Sequence, residues 1–287
     1  MLFRSATIRE LLSFIPQNNR EEAPFVETQD PVSRVDDSLN SLIPDNPNKA
    51  YDVYAVIHSI VDDHRFFEVH EQFARNIVVG FAHMGGRSVG IVANQPKVLA
   101  GVLDINASRK AARFVRFCDA FNIPLVTLVD VPGFLCGTQQ EYGAIITNGA
   151  KLLYAYGEAT VPKVTVTLRK SYGGAHIVMS CKQLRGDINY AWPSANIAVM
   201  GSDGAVGVLY GKELAAEPDP EKRVLLSEQK KQEYEALFCN PWQAAQKGYI
   251  EDVIEPRNTR FRVIRAFELL EGKRQDIPAK KHDNMPL

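Results

Sequence analysis

The sequence lacks a cysteine framework, a long apolar run and a signal peptide. Its four cysteines, Cys118, Cys136, Cys181 and Cys239, lie far apart and form no CxxC pair. Such spacing argues against a zinc site and is typical of a reduced, intracellular protein. No apolar run approaches the roughly 20 residues that a membrane-spanning helix needs, and no apolar signal segment is evident. We therefore expect a protein of the cytoplasm or of an organelle interior.

The chain also lacks an excess of charge of either sign. Its 33 Lys and Arg residues are balanced by 34 Asp and Glu residues, so the formal net charge is −1. A nucleic-acid-binding surface is not indicated, because such surfaces need an excess of positive charge. Metal-ligand motifs, a P-loop and a GxSxG nucleophile elbow are missing as well. Hydrophobic residues make up 45% of the chain, which suffices for a sizeable core.

What is present is an alternation of strand and helix patterns, which predicts α/β layers. The runs Ile77–His83 and Ser88–Ala93 flank Gly85-Gly86 and predict a hairpin. Pro124–Val129 is a continuous apolar run, typical of a strand buried on both faces, and Lys163–Leu168 predicts the next strand. Helices are predicted at 7–14, 51–61, 108–121, 140–156, 175–181, 203–210, 220–238 and 259–271, and extended segments at 197–200 and 249–254.

The beginning of the chain differs in composition from the rest. Residues 1–20 contain one short amphipathic segment, which we interpret as the terminal helix of a preceding domain. Residues 21–49 are rich in Pro, Asp, Asn and Ser with little periodicity, and this composition is typical of a linker. Residues 50–287 are predicted to form one large domain.

Two strand-to-helix junctions could hold an anion. The first runs from Asp130 to Gly137 and the second from Ser171 to Ala175. Ligands of open α/β sheets gather at the carboxyl ends of strands, and the first amides of a helix favour negative charge. Gly173 and Gly174 have no Cβ, so a ligand can approach their amides closely. A tight turn that serves packing alone would use the same glycines, and both interpretations stay open.

The side chains near these junctions do not point to one catalytic group. His176 could act as a base, although packing or capping is the commoner role of such a histidine. Asp130 could orient water or cap its loop, and Cys136 has no basic neighbour in sequence that would make it nucleophilic. Arg169 and Lys170 fit an anion-binding role and solvated charges equally well.

Long blocks around both junctions are far more specific. They include LDINASRKAARFVRFCDAFNIPLVTLVDVPGF (Leu103–Phe134) and RKSYGGA (Arg169–Ala175). Together they resemble the carboxyltransferase β subunits of biotin-dependent acyl-CoA carboxylases, especially propionyl-CoA carboxylases. The resemblance covers about residues 7–287 and points to the carboxyl-terminal half of such subunits. Its other blocks are Asn76–Pro96, Gln140–Pro162, Tyr190–Gly201 and Lys280–Leu287.

The resemblance implies an α/β, crotonase-like fold, a spiral of repeated β-β-α units. It also implies that the domain at 50–287 binds carboxybiotin, that the acyl-CoA-binding half is absent, and that subunits form hexamers. Biotin is the expected cofactor, held as carboxybiotin on a separate carrier domain, and no metal is expected. The expected partners are a biotin carboxylase or biotin carrier subunit and an acyl-CoA, without nucleic acid or membrane.

The same resemblance assigns the site. The backbone N–H groups of Gly174 and Ala175 are expected to form the oxyanion hole for the biotin ureido oxygen. The resemblance implies that carboxybiotin releases CO2 here and that the ureido nitrogen left behind takes the α proton of the acyl-CoA. The enolate then attacks the CO2, so that propionyl-CoA, the most natural substrate, becomes methylmalonyl-CoA and no side-chain base is required. Cys136 replaces a family proline, and His176-Ile177 replace Tyr-Asp, which leaves the acyl preference open. The residues expected around biotin are Gly133, Phe134, Gly137, Tyr172, Gly173, His176 and Ile177.

Other functions remain compatible with these residues. A sodium-pump decarboxylase or a transcarboxylase subunit runs the same half-reaction with other partners. A CoA-thioester hydratase or isomerase on the same fold would need a paired Glu or Asp base, and none is apparent. An inert fragment or an assembly scaffold is the non-enzymatic alternative, because half of a site need not catalyse alone.

Overall fold

One mixed sheet of eight strands organises the computed structural model, which describes residues 2–276, 279 and 284–286. The strands are β1 (Phe66–Glu68), β2 (Ile77–Met84), β3 (Arg87–Asn94), β4 (Leu125–Val131), β5 (Lys163–Tyr172), β6 (Ile188–Ala191), β7 (Asn196–Ala198) and β8 (Asp252–Val253). Across the sheet the order is β1-β2-β3-β4-β5-β6-β8, and β7 pairs with the end of β5. The meander β1–β3 is antiparallel, and the other pairs are parallel.

Helices connect the parallel strands and cover the sheet. None of the helices in the described part of the chain has the length and apolar character needed to cross a membrane. The helices are α1 (Leu2–Ser13), α2 (Val53–Ile60), α3 (Ile105–Ala120), α4 (Thr138–Tyr142), α5 (Ile145–Glu158), α6 (Gly173–Val178), α7 (Ser202–Ala216), α8 (Pro220–Phe238), α9 (Pro241–Gln246) and α10 (Thr259–Leu269).

Strand β4 separates two apolar clusters, and every one of its residues is buried. Val126 and Leu128 belong to the cluster that α2 and α10 complete. Leu125 and Val129 belong to the cluster that α3 and α5 complete. Because successive side chains of a strand point to opposite faces, a continuous apolar run is what a strand covered on both sides requires. The predicted buried strand is therefore confirmed.

The predicted hairpin is also confirmed. Gly85 and Gly86 form its turn with φ angles of 60° and 80°, a backbone region that favours glycine. A Cβ at Gly86 would lie 2.4 Å from the carbonyl oxygen of Val26. The carboxylate of Asp62 accepts the amides of Gly85 at 2.9 Å and of Gly86 at 2.7 Å. The turn is thus held by a side chain from outside the hairpin.

The prediction of one continuous helix over 140–156 is wrong. The chain instead forms α4 and α5, which are separated at Gly143 and Ala144. Ala144 has a left-handed φ of 63°, which ends the first helix. A Cβ at Gly143 would lie 2.6 Å from Cδ1 of Ile105, so α3 packs directly on the break. Tertiary packing overrides a locally helical sequence here.

The ends of several other elements also differ from the predictions. Strand β5 continues to Tyr172, beyond the predicted end at Leu168, because β7 pairs with its last residues. Helix α6 begins at Gly173 and ends at Val178, whereas the predicted helix covers 175–181. The strands β1 and β6 were not predicted, and they have only three and four residues.

Residues 21–49 form an irregular arm that packs on the domain. Leu39 is 2% exposed and belongs to the cluster beside α2. The guanidinium of Arg34 donates to the carbonyl oxygens of Ser59 at 2.7 Å and Val61 at 2.9 Å. The division into a terminal helix, a linker and a domain stays a prediction. Of the Lys280–Leu287 block, all residues except 284–286 lie outside the described residues.

Candidate functional site

Strand β5 passes directly into α6, and this junction creates the candidate site. Tyr172 ends the strand and caps the helix, and Gly173 follows with a left-handed φ of 54°. A Cβ at Gly173 would lie 2.9 Å from the carbonyl oxygen of Val199, so this position requires glycine. The amides of Gly174 and Ala175 belong to the first turn of the helix and have no partner within it. Two N–H groups without a helical partner therefore lie at the carboxyl end of β5, and Gly174 is the one of the two residues that is exposed.

Helix α6 lies between two cavities. One has a volume of about 540 Å³ and is bounded by α6, β7, α8 and α9; we name it the α8-side cavity. The other has about 530 Å³ and is bounded by α5, α6 and the loop that follows β4; we name it the α5-side cavity. Gly174 and Ile177 line both cavities, and His176 lines only the α8-side cavity.

Phe134 connects the two predicted junctions. A Cβ at Gly149 would lie 2.8 Å from its ring, and a Cβ at Gly174 would lie 3.8 Å from it. The phenyl ring is thus inserted between α5 and α6. Two backbone hydrogen bonds fix its loop. The amide of Leu103 donates to the carbonyl oxygen of Gly133 at 3.1 Å, and the amide of Leu135 donates to the carbonyl oxygen of Leu103 at 2.8 Å.

His176 is bonded to the strand that precedes its helix. Its Nδ1 atom lies 2.8 Å from the hydroxyl oxygen of Ser171. Burial lowers the pKa of His176 from its usual 6.5, because a buried cation loses its hydration. The imidazole is therefore neutral near pH 7. The neutral ring therefore adds no positive charge to the α8-side cavity, and Lys247 is the cationic residue in its wall.

Asp130 and Arg169 form a buried ion pair. The Nε atom of Arg169 lies 3.0 Å from the Asp130 carboxylate, and the guanidinium also donates to the carbonyl of Lys49 at 2.9 Å. Burial raises the pKa of Asp130, and Arg169 acts in the opposite direction. The interpretation of Arg169 as a solvated charge is wrong, because its side chain is buried and bound to Asp130 and Lys49. Anion binding stays a prediction. Burial lowers the pKa of the half-buried Lys170, and neighbouring Arg169 adds to this shift.

Four predicted site residues line neither cavity, and one of them is Ala175, which is only 1% exposed. A Cβ at Gly133 or Gly137 would meet no atom within 4 Å, so both glycines lie on the open side of their loop. The ring of Tyr172 packs 3.4 Å from where a Cβ of Gly201 would be. Cys136 lines the α5-side cavity.

The α8-side cavity contains side chains that were not predicted. Tyr234 and Phe238 reach it from α8, a helix whose other residues are mostly charged or polar. Two aromatic residues four positions apart share one helix face, and this spacing was the available signal. Gln183, Gln243, Lys247 and Tyr249 also line it from other parts of the chain.

No metal centre is found in the part of the chain that the structure describes. There, no group of three or more His, Cys, Asp or Glu side chains could hold a metal ion. All four cysteines are free; Cys118 and Cys181 are buried, and Cys136 is exposed.

Comparison with known proteins identifies the family of this chain. The model of the carboxyl transferase domain matches residues 4–285. The chain belongs to this family. It is 56% identical over 282 residues to the propionyl-CoA carboxylase beta chain of Roseobacter denitrificans, a match that covers 98% of this chain and 54% of that protein. It is 52% identical over 280 residues to the methylmalonyl-CoA decarboxylase subunit alpha of Propionigenium modestum, covering 98% of this chain and 54% of that protein.

A solved structure supports the same conclusion. The crystal structure of the transcarboxylase 12S hexamer matches with a TM-score of 0.93 and 54% identity over 98% of this chain and 54% of that chain. The predicted family and the crotonase-like α/β fold of the carboxyl transferase family are therefore confirmed. This chain spans about half the length of the curated relatives it matches. Its assignment to the carboxyl-terminal half of such subunits is not confirmed by these matches.

Proposed function

We propose that this chain supplies the carboxybiotin side of a carboxyl-transfer site that acts on the α carbon of a short-chain acyl-CoA. Propionyl-CoA, which would become methylmalonyl-CoA, is the proposed substrate. The observation that carries the proposal is the pair of first-turn amides of Gly174 and Ala175 at the end of β5, where Gly174 borders a cavity on each side of the helix. Similar proteins are named propionyl-CoA carboxylase beta chain and methylmalonyl-CoA carboxyltransferase 12S subunit, which agrees with this choice of substrate.

The amides would act as an oxyanion hole. Both N–H groups are fixed by helix α6, so they need not reorganise when charge develops on a bound oxygen. A fixed donor of this kind contributes roughly 3 to 4 kcal/mol to a transition state. The biotin ureido oxygen is an acceptor of suitable chemistry, and bound carboxybiotin supplies the carboxyl group that is transferred.

The surrounding side chains favour binding and orientation over proton transfer. Phe134 and Ile177 give the α5-side cavity apolar walls that exclude water from the amides. His176 is neutral and bonded to Ser171, so no imidazolium competes with the amides for the developing charge. The chain thus binds and orients the reactants, and it does not require a side-chain base.

Partners and assembly follow from the same proposal. Biotin would arrive on the carrier domain of a biotin carboxylase or biotin carrier subunit, and a region outside this chain would hold the acyl-CoA. We further propose a hexamer in the cytoplasm or an organelle interior, without a metal cofactor. Exposed apolar residues on α7 and α8 support assembly, since Val208, Val224 and Leu225 are 68–73% exposed. The similar transcarboxylase 12S protein also assembles as a hexamer.

Carboxyl transfer from methylmalonyl-CoA to biocytin tests the proposal. The chain is assayed alone and mixed with a separately supplied acyl-CoA-binding half of a family member. We expect transfer only in the mixture. Ala175→Pro removes one amide donor and is expected to lower the rate roughly 100- to 1,000-fold. The control Gly204→Pro also changes the third residue of a helix, α7, at an exposed position outside both cavities, and is expected to retain activity.

Gly174→Ala provides a second variant in case proline at position 175 disturbs the fold. Its methyl group would make only ordinary contact with Phe134, at 3.8 Å, yet would stand between the ligand and the amides. We expect a folded protein with weakened biocytin binding. Full activity of a folded Ala175→Pro variant would disprove the oxyanion assignment.

Two further outcomes separate the alternatives. An assembled mixture without transfer would favour a scaffold over an enzyme. Binding of a methylmalonyl thioester of pantetheine by this chain alone, sensitive to Gly174→Ala, would mean that the site holds the acyl group instead of biotin. Decarboxylases and transcarboxylases would use the same site, so steady-state assays with the natural partner subunits distinguish them.

A further inference from the structure

A basic groove runs along the exposed face of α3, away from the amides of α6. It has a volume of about 1100 Å³ and is lined by Arg109, Arg113 and Arg116 of α3 and by Lys151 of α5; we name it the arginine groove. Helix α5 separates it from the α5-side cavity, because that cavity is lined by residues on the other side of the helix. The groove is thus not part of the proposed carboxyl-transfer site.

The cations of the groove are largely unneutralised. Arg116 forms an ion pair with Glu158 at 3.3 Å. Within residues 2–276, 279 and 284–286, Arg109, Arg113 and Lys151 have no ion pair or hydrogen bond from their side chains. Arg109 and Arg116 are seven residues apart, which corresponds to about 10.5 Å along a helix. Such a row suits an anion with more than one charged group.

An apolar recess opens from the same groove. It has a volume of about 330 Å³ and shares His70, Lys110, Arg113 and Phe117 with the groove. We name it the phenylalanine recess because the rings of Phe67, Phe81, Phe114 and Phe117 line it.

Two polar groups at the recess differ in what they can offer a ligand. The ammonium of Lys110 is engaged, since it donates to the carbonyl oxygens of Phe73 and Ile77 at 2.8 Å each. Glu68 accepts a hydrogen bond from the hydroxyl of Tyr54 at 2.6 Å through one oxygen. Its other carboxylate oxygen can accept from a ligand N–H group. A hydrocarbon chain would cover this carboxylate without offering a donor, which is unfavourable.

We propose that the arginine groove and the phenylalanine recess together bind a phosphorylated purine nucleoside, with the base in the recess and the phosphates on the arginines. Aromatic rings pack a flat base by offset or edge contacts. Guanidinium groups bind phosphate oxygens in pairs of parallel hydrogen bonds. An exocyclic amino group supplies the donor that Glu68 can accept, so an aminopurine fits the recess best. The proposal is independent of the carboxyl-transfer proposal.

Calorimetric titration of the chain with ADP tests this assignment, with adenosine, inorganic pyrophosphate and laurate as comparison ligands. We expect ADP to bind, and adenosine and pyrophosphate each to bind at least about tenfold more weakly, because each lacks half of the contacts. ADP affinity should fall as salt is added, since the cations of the groove are exposed.

Variants locate the site. Arg109→Glu and Arg113→Glu are expected to weaken ADP binding by about tenfold or more, and Phe117→Ala should weaken ADP but not pyrophosphate. Lys212→Glu is the matched control: it reverses an exposed cation on α7 and should leave the affinity unchanged. Circular dichroism verifies that each variant is folded.

Several results would overturn the proposal. No heat of ADP binding, or an affinity unaffected by Arg113→Glu in folded protein, would exclude the groove as a nucleotide site. Pyrophosphate binding as tightly as ADP would exclude a base in the recess. Tight binding of laurate without ADP binding would assign the recess to a hydrocarbon chain.

Discussion

The Nε atom of Arg169 lies 3.0 Å from Oδ2 of Asp130, and both side chains are almost fully buried. The other carboxylate oxygen accepts the amide of Lys170 at 3.1 Å. The guanidinium in turn covers the ring of Tyr51 at 5.0 Å and donates to the carbonyl of Lys49. One ion pair therefore joins the segment around Lys49 and Tyr51 to the ends of β4 and β5, where the candidate site begins.

Loss of this pair should destabilise the protein strongly. Asp130→Asn leaves a buried guanidinium without a counter-charge, which costs about 3 to 5 kcal/mol of unfolding free energy. Urea unfolding measures the loss. Asp203→Asn is the matched control, because its pair with Lys231 is exposed and should contribute less than about 1 kcal/mol. Equal losses of unfolding free energy in the two variants would show that the buried pair contributes no more to stability than the exposed pair.

Two glycine-to-alanine variants should change stability in opposite directions. Gly173→Ala forces an L-residue into a left-handed φ and against the carbonyl of Val199, with an expected loss of at least about 1 to 2 kcal/mol. Gly211→Ala lies within α7, where a Cβ would meet nothing within 4 Å, and should gain up to about 1 kcal/mol. Thermal unfolding compares them, and a stabilised Gly173→Ala would contradict the described turn.

Removal of Arg260 should release the irregular arm. Its guanidinium is 2% exposed, lies 2.7 Å from the Asp62 carboxylate, and donates to the carbonyl oxygens of Ile60 at 2.9 Å and Asp30 at 3.2 Å. Arg260→Met leaves buried acceptors unpaired, and we expect a loss of about 3 to 5 kcal/mol. Limited proteolysis should then cleave within residues 21–49 faster than in the unaltered protein. An unchanged cleavage rate would mean that other contacts hold the arm.

Acid should destabilise the protein partly through His176. Burial lowers its pKa below the usual 6.5, so the folded state binds fewer protons than the unfolded state as pH falls below that value. Its contribution is present above the unfolded pKa and is lost as pH falls through the folded pKa. We therefore expect the stability difference between the chain and His176→Gln to shrink from about pH 7.5 to pH 5, by at most about 1.4 kcal/mol per pH unit. A difference independent of pH would show that the ring titrates alike in both states.

The fold was predictable where the local pattern and the tertiary environment agree. Pro124–Val129 is apolar throughout because β4 is covered on both faces, and Gly85-Gly86 adopt the φ angles that a hairpin turn requires. The strands β1 and β6 are too short to show a period. The break at Ala144 coincides with a close approach of Ile105, the first residue of α3, to Gly143, and the local sequence does not contain this contact.

The site was predictable in part for the same reason. Gly173 and Gly174 mark the junction in the sequence because the backbone there needs a left-handed turn and an open approach. Tyr234 and Phe238 come from a helix far along the chain, and only the folded arrangement brings them to α6. The specific assignment to a carboxyltransferase came from long blocks of resemblance, since a Gly-Gly junction alone does not distinguish a ligand site from a packing turn.

The six residues of α6 form a partition, and this limits how the protein can change. Gly174 and Ile177 border a cavity on each side of the helix, so a substitution at either position alters both cavities at once. A substitution here that improves the binding of a ligand in one cavity must therefore also be compatible with the ligand in the other cavity. Tyr234 borders only the α8-side cavity and Leu153 only the α5-side cavity. Substitutions at such positions can change one cavity without the other.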